Sequence, residues 1–147
     1  MNFQIRHNTV SEEVLKDYLE KNFFQFHVSF SEMCLKTNYS HKLFVNASTF
    51  EIWDDLLLVG LICAYMNYEL KTVYIPYVCI SKNNSGKGFA SRLFDFLDEY
   101  CREKSFEKIS LEVREDNHSA ISLYSKIGFR NVGKMNGKNK MEKILKA

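Results

Sequence analysis

Residues 111–129 read LEVREDNHSAISLYSKIGF, and this segment decides the fold. Its first residues complete a run, 108–114, in which apolar and polar side chains alternate as they do in a strand with one buried face. Asn117 then offers a side-chain acceptor for a helix N-terminus, and Gly128 suits the residue that ends that helix. The segment therefore predicts a strand followed by a helix, with a further strand after the glycine.

Upstream of this segment, residues 81–90 read SKNNSGKGFA and form a polar loop between a predicted strand and a predicted helix. Glycines allow successive backbone N–H groups to turn toward one point, and a helix N-terminus adds partial positive charge there. Both features favour a seat for a phosphate or diphosphate. The loop lacks the Walker A spacing, and Ser91 breaks the G-x-G-x-x-G pattern. Taken alone, residues 86–88 fit an ordinary strand-to-helix turn equally well.

The remaining sequence predicts an α/β protein of the α+β type, with a mixed sheet of six to seven strands and helices on both faces. Apolar runs and turn signals place strands at 43–53, 56–65, 73–80, 108–114, 129–135 and 141–145. Helical periodicity appears around 14–19, 31–35, 89–100 and 117–127. Thr9 and Ser11 are candidate N-caps for the first helix. Pro76 cannot donate to a strand ladder, so it predicts a bulge or an unpaired stretch within 73–80.

The composition limits the class of protein. The chain has 147 residues with 20 Lys+Arg against 18 Asp+Glu, which predicts a single domain over 1–147 and argues against nucleic-acid binding. It contains no apolar run of the ~20 residues that cross a membrane, and its N-terminus does not resemble a secretory signal. We therefore expect a cytoplasmic protein with no membrane partner. Its scattered cysteines and histidines have no ligand spacing, which predicts free buried thiols and no metal site; the cysteines are Cys34, Cys63, Cys79 and Cys101.

Together, the loop and the 111–129 segment resemble the GNAT superfamily of acetyl-CoA-dependent N-acetyltransferases. The family's diphosphate signature is [QR]-x-x-G-x-[GA], and residues 85–90 depart from it only at the first position, where Ser85 stands. The later signature, N-x-x-A-x-x-x-Y-x-x-x-G-F, is matched by Asn117, Ala120, Tyr124, Gly128 and Phe129. The resemblance extends over residues 56–130, and it implies the GNAT-like fold with a splayed sheet.

The resemblance also implies where acetyl-CoA would bind as co-substrate. The pantetheine arm would pair with backbone groups of Val78 and Ile80, on a strand that is bulged in the family. Asn117 and Tyr124 would face the same arm. The diphosphate would accept hydrogen bonds from backbone N–H groups at Gly86, Lys87, Gly88, Phe89 and Ala90, with a hydroxyl from Ser91. The candidates for the outer phosphate are Lys82, Lys87, Arg92 and Lys126.

Two side chains are candidates for acid–base catalysis. The resemblance implies that Tyr124 is the general acid, because a phenol has a pKa close to that of the leaving thiol; the alternative is a helical tyrosine packed in the core. Glu112 is the candidate base. The run Leu-Glu-Val-Arg, with a tyrosine twelve residues after the glutamate, resembles bacterial N-terminal alanine acetyltransferases. The alternative is a solvent-facing glutamate paired with Arg114 or a lysine.

We therefore expect transfer of an acetyl group from acetyl-CoA to a primary amine, by direct attack in a ternary complex. The expected acceptor is a small amine such as an amino sugar, an amino acid or a polyamine. The alternatives are the α-amine of a protein N-terminus and a non-catalytic acyl-CoA-binding sensor. Family members often dimerise, so residues 129–145 are candidates for a homodimer interface. The aromatic residues that could shape an acceptor pocket are Phe23, Phe24, Phe26, Phe30, Tyr65, Tyr68, Tyr74 and Tyr77.

Overall fold

Over the residues that the structure describes, the sheet has seven strands and combines parallel with antiparallel pairing. The computed structural model describes residues 3–22, 38–81, 84 and 86–145. The strands are β1 Phe3–His7, β2 Ser48–Asp54, β3 Leu57–Asn67, β4 Thr72–Ile80, β5 Lys108–Arg114, β6 Arg130–Met135 and β7 Lys138–Ile144. The helices among the described residues are α1 Glu12–Asn22, α2 Tyr39–Asn46, α3 Phe89–Glu103 and α4 His118–Lys126. The strand order is β1-β2-β3-β4-β5-β7-β6, with β4 parallel to β5 and β7 antiparallel to β5. The predicted α/β fold with a mixed sheet is confirmed.

Two compact units divide the chain, and each has its own apolar core. The first unit comprises residues 1–63 and 77–93, and the second comprises 64–76 and 94–147. The largest fully buried side chains of the first core are Leu15, Leu43, Phe50, Ile52, Leu61, Ile62 and Leu93. Those of the second core are Phe94, Leu97, Ile109, Leu111 and Met141. The single domain over 1–147 stays a prediction.

Local sequence signals in the second half of the chain are matched closely. β5 buries the apolar residues of its alternating pattern and exposes Glu112 and Arg114. The turn between β6 and β7 lies at Asn136 and Gly137, both with positive φ, as a tight hairpin between twisted strands requires. No helix among the described residues is long and apolar enough to cross a membrane.

The strand prediction is wrong for residues 43–46, which belong to helix α2. The backbone N–H of Ala47 donates to the carbonyl oxygen of Leu43 at 2.8 Å. Leu43 is fully buried whereas Val45 is 61% exposed, so burial follows the helical period. A short apolar run does not distinguish a helix from a strand by pattern alone. The predictions also omitted β1, which pairs antiparallel with β2. The helix expected around 31–35 lies outside the described residues.

A buried carboxylate holds the connection between β1 and α1. Glu51 on β2 has no exposed surface. Its carboxylate oxygens accept hydrogen bonds from the backbone N–H groups of Thr9 at 3.0 Å and Val10 at 3.2 Å. They also accept from the Thr49 hydroxyl at 2.5 Å, the Trp53 indole at 2.9 Å and the Thr9 hydroxyl. Since α1 begins just after Thr9 and Val10, Glu51 sets where that helix starts. The candidate N-cap Thr9 serves this network, and Ser11 caps α1 by accepting from Val14 N–H at 3.2 Å.

Candidate functional site

β4 pairs with β5 over only the first part of its length. Their parallel register runs from Thr72 opposite Lys108 to Ile75 opposite Leu111. The ladder therefore stops immediately before Pro76, whose nitrogen carries no hydrogen to donate. The predicted unpaired stretch at this proline matches the end of the ladder. Val78 and Ile80, the residues expected to pair with pantetheine, lie beyond that end and within the described part of β4.

A tyrosine on α1 holds the last residues of β4. The Tyr18 hydroxyl donates to the carbonyl oxygen of Cys79 at 3.0 Å and accepts from the Ser81 hydroxyl at 3.2 Å. Burial raises the pKa of Tyr18 well above its usual value, so the phenol keeps its proton and remains a donor. In the sequence, Tyr18 was covered only by the helical periodicity around 14–19. A buried tyrosine needs a partner for its hydroxyl, and that need was the available signal.

The loop between β4 and α3 presents backbone donors. Gly86 and Gly88 have φ of 79° and 76°, and a Cβ at either position would meet no heavy atom within 4 Å. The first turn of α3 is closed by Arg92 N–H donating to the carbonyl oxygen of Gly88 at 3.1 Å. Within the described part of the chain, the backbone N–H groups of residues 86–91 donate to no acceptor. Such donors at a helix N-terminus suit an anionic ligand.

Among the basic candidates for the outer phosphate, Lys87 lies within this loop. Its Nζ donates to the side-chain oxygen of Asn84 at 3.3 Å and lies 5.9 Å from the centre of the Phe3 ring. Its side chain therefore folds back over the first unit. Arg92 lies one helical turn further on, with its guanidinium 5.9 Å from the centre of the Phe89 ring. Lys82 lies outside the described residues.

Asn117 caps α4 as predicted. Its side-chain oxygen accepts from Ala120 N–H at 3.2 Å and from the Ser119 hydroxyl at 3.3 Å. This capping satisfies a backbone donor that the helix itself cannot. Because the oxygen is engaged, any contact from Asn117 to a pantetheine arm would have to use its amide NH₂ group.

Tyr124, on α4, is half-buried against two phenylalanines. Its ring meets Phe94 edge-on with centroids 5.8 Å apart, and the Phe129 centroid lies at 5.9 Å. The Phe129 backbone N–H donates to the carbonyl oxygen of Tyr124 at 2.9 Å. These contacts hold the Tyr124 ring in place, as the alternative of a helical tyrosine packed in the core predicts. The role of the hydroxyl as a general acid stays a prediction.

Glu112, on the exposed face of β5, is a neighbour of Tyr74. Its Oε1 accepts from the Tyr74 hydroxyl at 3.4 Å. The guanidinium of Arg114 pairs instead with Asp116 at 2.8 Å, and Lys140, opposite Glu112 on β7, lies 3.9 Å from Glu142. Burial and the nearby Glu112 carboxylate raise the pKa of Tyr74, so its phenol stays protonated and donates at neutral pH. Tyr74 is one of the aromatic residues predicted to shape the acceptor pocket, and its pairing with Glu112 was not predicted from the sequence.

Three of the aromatic candidates line a cleft of about 570 Å³ beside the β3–β4 turn. They are Tyr65, Tyr68 and Tyr74, and the rings of Tyr65 and Tyr74 are stacked with centroids 6.5 Å apart. Tyr77, in contrast, is only 2% exposed and belongs to the core. The four candidate phenylalanines, Phe23, Phe24, Phe26 and Phe30, lie outside the described residues.

The described cysteines are free and buried, as predicted, and Cys34 lies outside the described residues. Burial raises the pKa of Cys79 to about 11, above that of an ordinary thiol. Its sulfur is therefore a protonated thiol at neutral pH, which is a poor nucleophile.

Comparison with known proteins gives consistent results. The model of the acetyltransferase (GNAT) family matches residues 11–129. A Bacillus subtilis (strain 168) protein named as a ribosomal protein bS18-alanine N-acetyltransferase is 31% identical over 104 residues, or 69% of this chain and 68% of that protein. The PaiA N-acetyltransferase of Thermoplasma acidophilum, solved with coenzyme A, has a TM-score of 0.81 at 17% identity, covering 98% of this chain and 99% of its own. The spermidine/spermine N-acetyltransferase SpeG of Vibrio cholerae has a TM-score of 0.70 at 23% identity, covering 98% and 95%. The two structures establish a likeness of fold.

Proposed function

This chain belongs to the acetyltransferase (GNAT) family and is an N-acetyltransferase by that membership, and we propose that it transfers the acetyl group of acetyl-CoA to a small primary amine. The observation that carries the proposal is the end of β4. Its ladder with β5 stops at Ile75, and the glycine loop that follows β4 presents backbone N–H groups that find no acceptor among the described residues. The first feature suits the amide groups of a pantetheine arm and the second suits a diphosphate.

The proposed coenzyme contacts are made mostly by backbone atoms. Val78 and Ile80 would pair with pantetheine through their backbone groups, while the N–H groups of residues 86–91 would hold the diphosphate. The Tyr18 hydroxyl supports this arrangement because it holds the carbonyl oxygen of the intervening Cys79. Alternate residues of a strand direct their backbone groups to opposite edges, so this bond leaves the neighbouring residues able to pair elsewhere.

The chemistry removes two protons from the amine nitrogen and delivers one proton to the thiolate sulfur. An alkylamine has a pKa near ~10 and must lose a proton before its lone pair attacks the thioester carbonyl. We assign Glu112 to accept that proton, directly or through ordered water. We assign Tyr124 to donate a proton to the thiolate sulfur as the C–S bond breaks. The nitrogen loses its second proton once the C–N bond has formed, and that proton restores the Tyr124 phenol. The protonated Cys79 thiol supports direct transfer in a ternary complex over an acyl-enzyme.

A second candidate acceptor is the α-amine of a protein N-terminus. The curated Bacillus subtilis relative carries such an activity in its name, and this chain shares 31% identity with it. The run from Leu111 to Arg114 also favours this acceptor by its resemblance to N-terminal alanine acetyltransferases. The two candidates differ in what must bind beside the amine: a small organic molecule or an extended peptide.

The proposal is tested by incubating the protein with acetyl-CoA and each of two acceptor panels, small amines and short peptides that begin with alanine. Release of coenzyme A is followed with a thiol reagent, and the acetylated product is identified by mass spectrometry. We expect the small amines to be acetylated. Turnover confined to the peptides would establish the second candidate. Coenzyme A binding without turnover on either panel would support the sensor alternative and overturn the enzymatic proposal.

Two further expectations remain part of the proposal. One is a cytoplasmic location, and the other is a homodimer through residues 129–145. All six residues of β6 within that range are exposed, which supports an available edge strand. Sedimentation of the purified chain at several concentrations tests the homodimer.

A further inference from the structure

The cleft beside the β3–β4 turn has a lining suited to a positive charge. Tyr65, Tyr68 and Tyr74 contribute phenol rings to it. Of the residues that line it, all of them in the described part of the chain, Glu69 alone carries a charge. Aromatic faces attract ammonium groups through the negative potential above the ring, and a carboxylate adds direct attraction. We propose that this cleft binds a second ammonium group of the acceptor, so that the preferred acceptor is a diamine or polyamine; this inference rests on the proposed acetyl transfer.

The cleft is braced by contacts behind its rings. The Tyr68 ring meets Phe106 edge-on with centroids 5.1 Å apart, and its hydroxyl lies 3.4 Å from that of Tyr100. The turn itself is held by Leu70 N–H, which donates to the side-chain oxygen of Asn67 at 2.9 Å. Rings and turn are thus positioned by the fold, which lowers the entropy cost of ordering them around a ligand.

Lys71, in the β3–β4 turn, is directed to another aromatic ring. Lys71 is not among the lining residues, and its Nζ lies 5.7 Å from the centre of the Phe106 ring. The charge in the lining therefore comes from Glu69. A cleft with one carboxylate and three phenols favours a cation over a neutral or anionic group.

One wall of the cleft leads directly to the proposed base. Tyr74 lines the cleft, and its hydroxyl donates to Glu112 at 3.4 Å. An acceptor with two amino groups can therefore place one ammonium among the phenols while its other amine lies toward Glu112. The bound ammonium keeps its proton and anchors the molecule; the attacking amine gives up its proton. A monoamine has only the reacting group and gains no such anchor.

The test compares diaminobutane with butylamine, which has the same carbon chain and a single amino group. With wild-type protein and saturating acetyl-CoA, we expect kcat/KM to favour diaminobutane by about tenfold, as one cation held by partly exposed rings and a carboxylate provides. Glu69→Gln and Tyr68→Leu should each reduce this ratio by about threefold or more. Tyr68→Phe keeps the ring and should keep the ratio. Glu103→Gln, the same charge change at an exposed position in the last turn of α3, serves as the matched control.

A binding titration separates this inference from the proposed function. Diaminobutane is titrated calorimetrically into wild-type protein and the Glu69→Gln variant, each with coenzyme A present. Weaker binding to the variant supports the cleft even if no amine is acetylated, a result that would defeat only the proposed function. Acetylation of both amines with equal kcat/KM, and equal binding to wild type and variant, would overturn the cleft and leave the proposed function standing.

Discussion

The substitution Glu51→Gln tests how much the buried Glu51 carboxylate contributes to the stability of the first unit. Glu51→Gln keeps the shape of the side chain but replaces one oxygen with an NH₂ group. The carboxylate accepts from five donors, and three of these are N–H groups that cannot reverse their role: Thr9 N–H, Val10 N–H and the Trp53 indole. The two threonine hydroxyls can rotate to accept from the new amide. The variant is therefore forced to leave at least one N–H without an acceptor.

The geometry also indicates which N–H group loses its acceptor in Glu51→Gln. The oxygen Oε2 receives both backbone N–H groups, whereas Oε1 receives the indole at 2.9 Å. The lower-energy orientation of the new side-chain amide therefore places its NH₂ group toward the Trp53 indole, because only one N–H then loses its acceptor. A buried donor left without a partner costs about 1–3 kcal/mol. Two further effects oppose each other: the amide makes weaker hydrogen bonds than the charged carboxylate, but the protein no longer has to bury a charge. We therefore expect the free energy of unfolding to fall by about 2 kcal/mol.

Urea unfolding measures this loss directly. The midpoint should fall with an unchanged slope, and Tm should fall by roughly 4–8 °C. Glu20→Gln, the same change on the exposed side of α1, should alter the free energy of unfolding by less than about 0.5 kcal/mol. Trp53→Phe removes the indole N–H that Glu51→Gln leaves without an acceptor. The double variant should therefore lose less free energy of unfolding than the two single variants lose together. A Glu51→Gln protein as stable as the Glu20→Gln control would refute the reasoning.

Four further predictions concern the site and the pH dependence. Tyr124→Phe should lower kcat by about 10²-fold or more with little change in KM for acetyl-CoA, since a general acid acts only in the transition state; unchanged kcat at every pH removes the assignment. Glu112→Gln should lower kcat/KM and move the rate–pH profile, and a profile identical to wild type eliminates it as the base. Gly88→Ala forces a left-handed residue at φ 76° and should weaken coenzyme A binding about fivefold or more by calorimetry, whereas Gly133→Ala, which has equal space and no positive φ, should not. Burial lowers the pKa of His7 below 6.5, so the unfolded state binds more protons; stability present near neutral pH should fall as pH drops through that value, and His7→Phe, which keeps the stacking on Phe50, should flatten the change seen in urea titrations.

The elements that sequence predicted best depend on neighbours a few residues apart. The cap at Asn117 needs only a side-chain oxygen and an N–H three residues later, and the bond to Ala120 is that contact. The hairpin at Asn136 and Gly137 needs two residues that tolerate positive φ, and both adopt it. All the residues that form such a cap or turn lie within a few positions of one another, so the pattern can be read from a single sequence.

The features that sequence missed join residues far apart along the chain. Glu51 reads as a polar residue inside an apolar strand, and its donors Thr9 and Val10 lie about forty residues earlier. Glu112 and Tyr74 are separated by 38 residues, and only the parallel ladder between β4 and β5 brings their strands together. No periodicity records such pairings, because they depend on strand order.

Ser85 stands where the family's diphosphate signature has glutamine or arginine, and the proposed backbone contacts bear on what this departure costs. If the diphosphate is held by backbone N–H groups, the requirement on the sequence is for residues that let the backbone turn and come close. Gly86 and Gly88 meet it with positive φ and open space around each Cβ position. In the proposed site the backbone N–H groups of residues 86–91 supply the donors, so coenzyme binding does not require a side-chain donor at position 85. The family match over residues 11–129 together with this substitution therefore predicts a loop whose coenzyme affinity responds more to Gly88→Ala than to Ser85→Gln. Equal effects of the two substitutions on coenzyme A affinity, measured in the same calorimetric titration, would contradict a diphosphate site formed by backbone N–H groups.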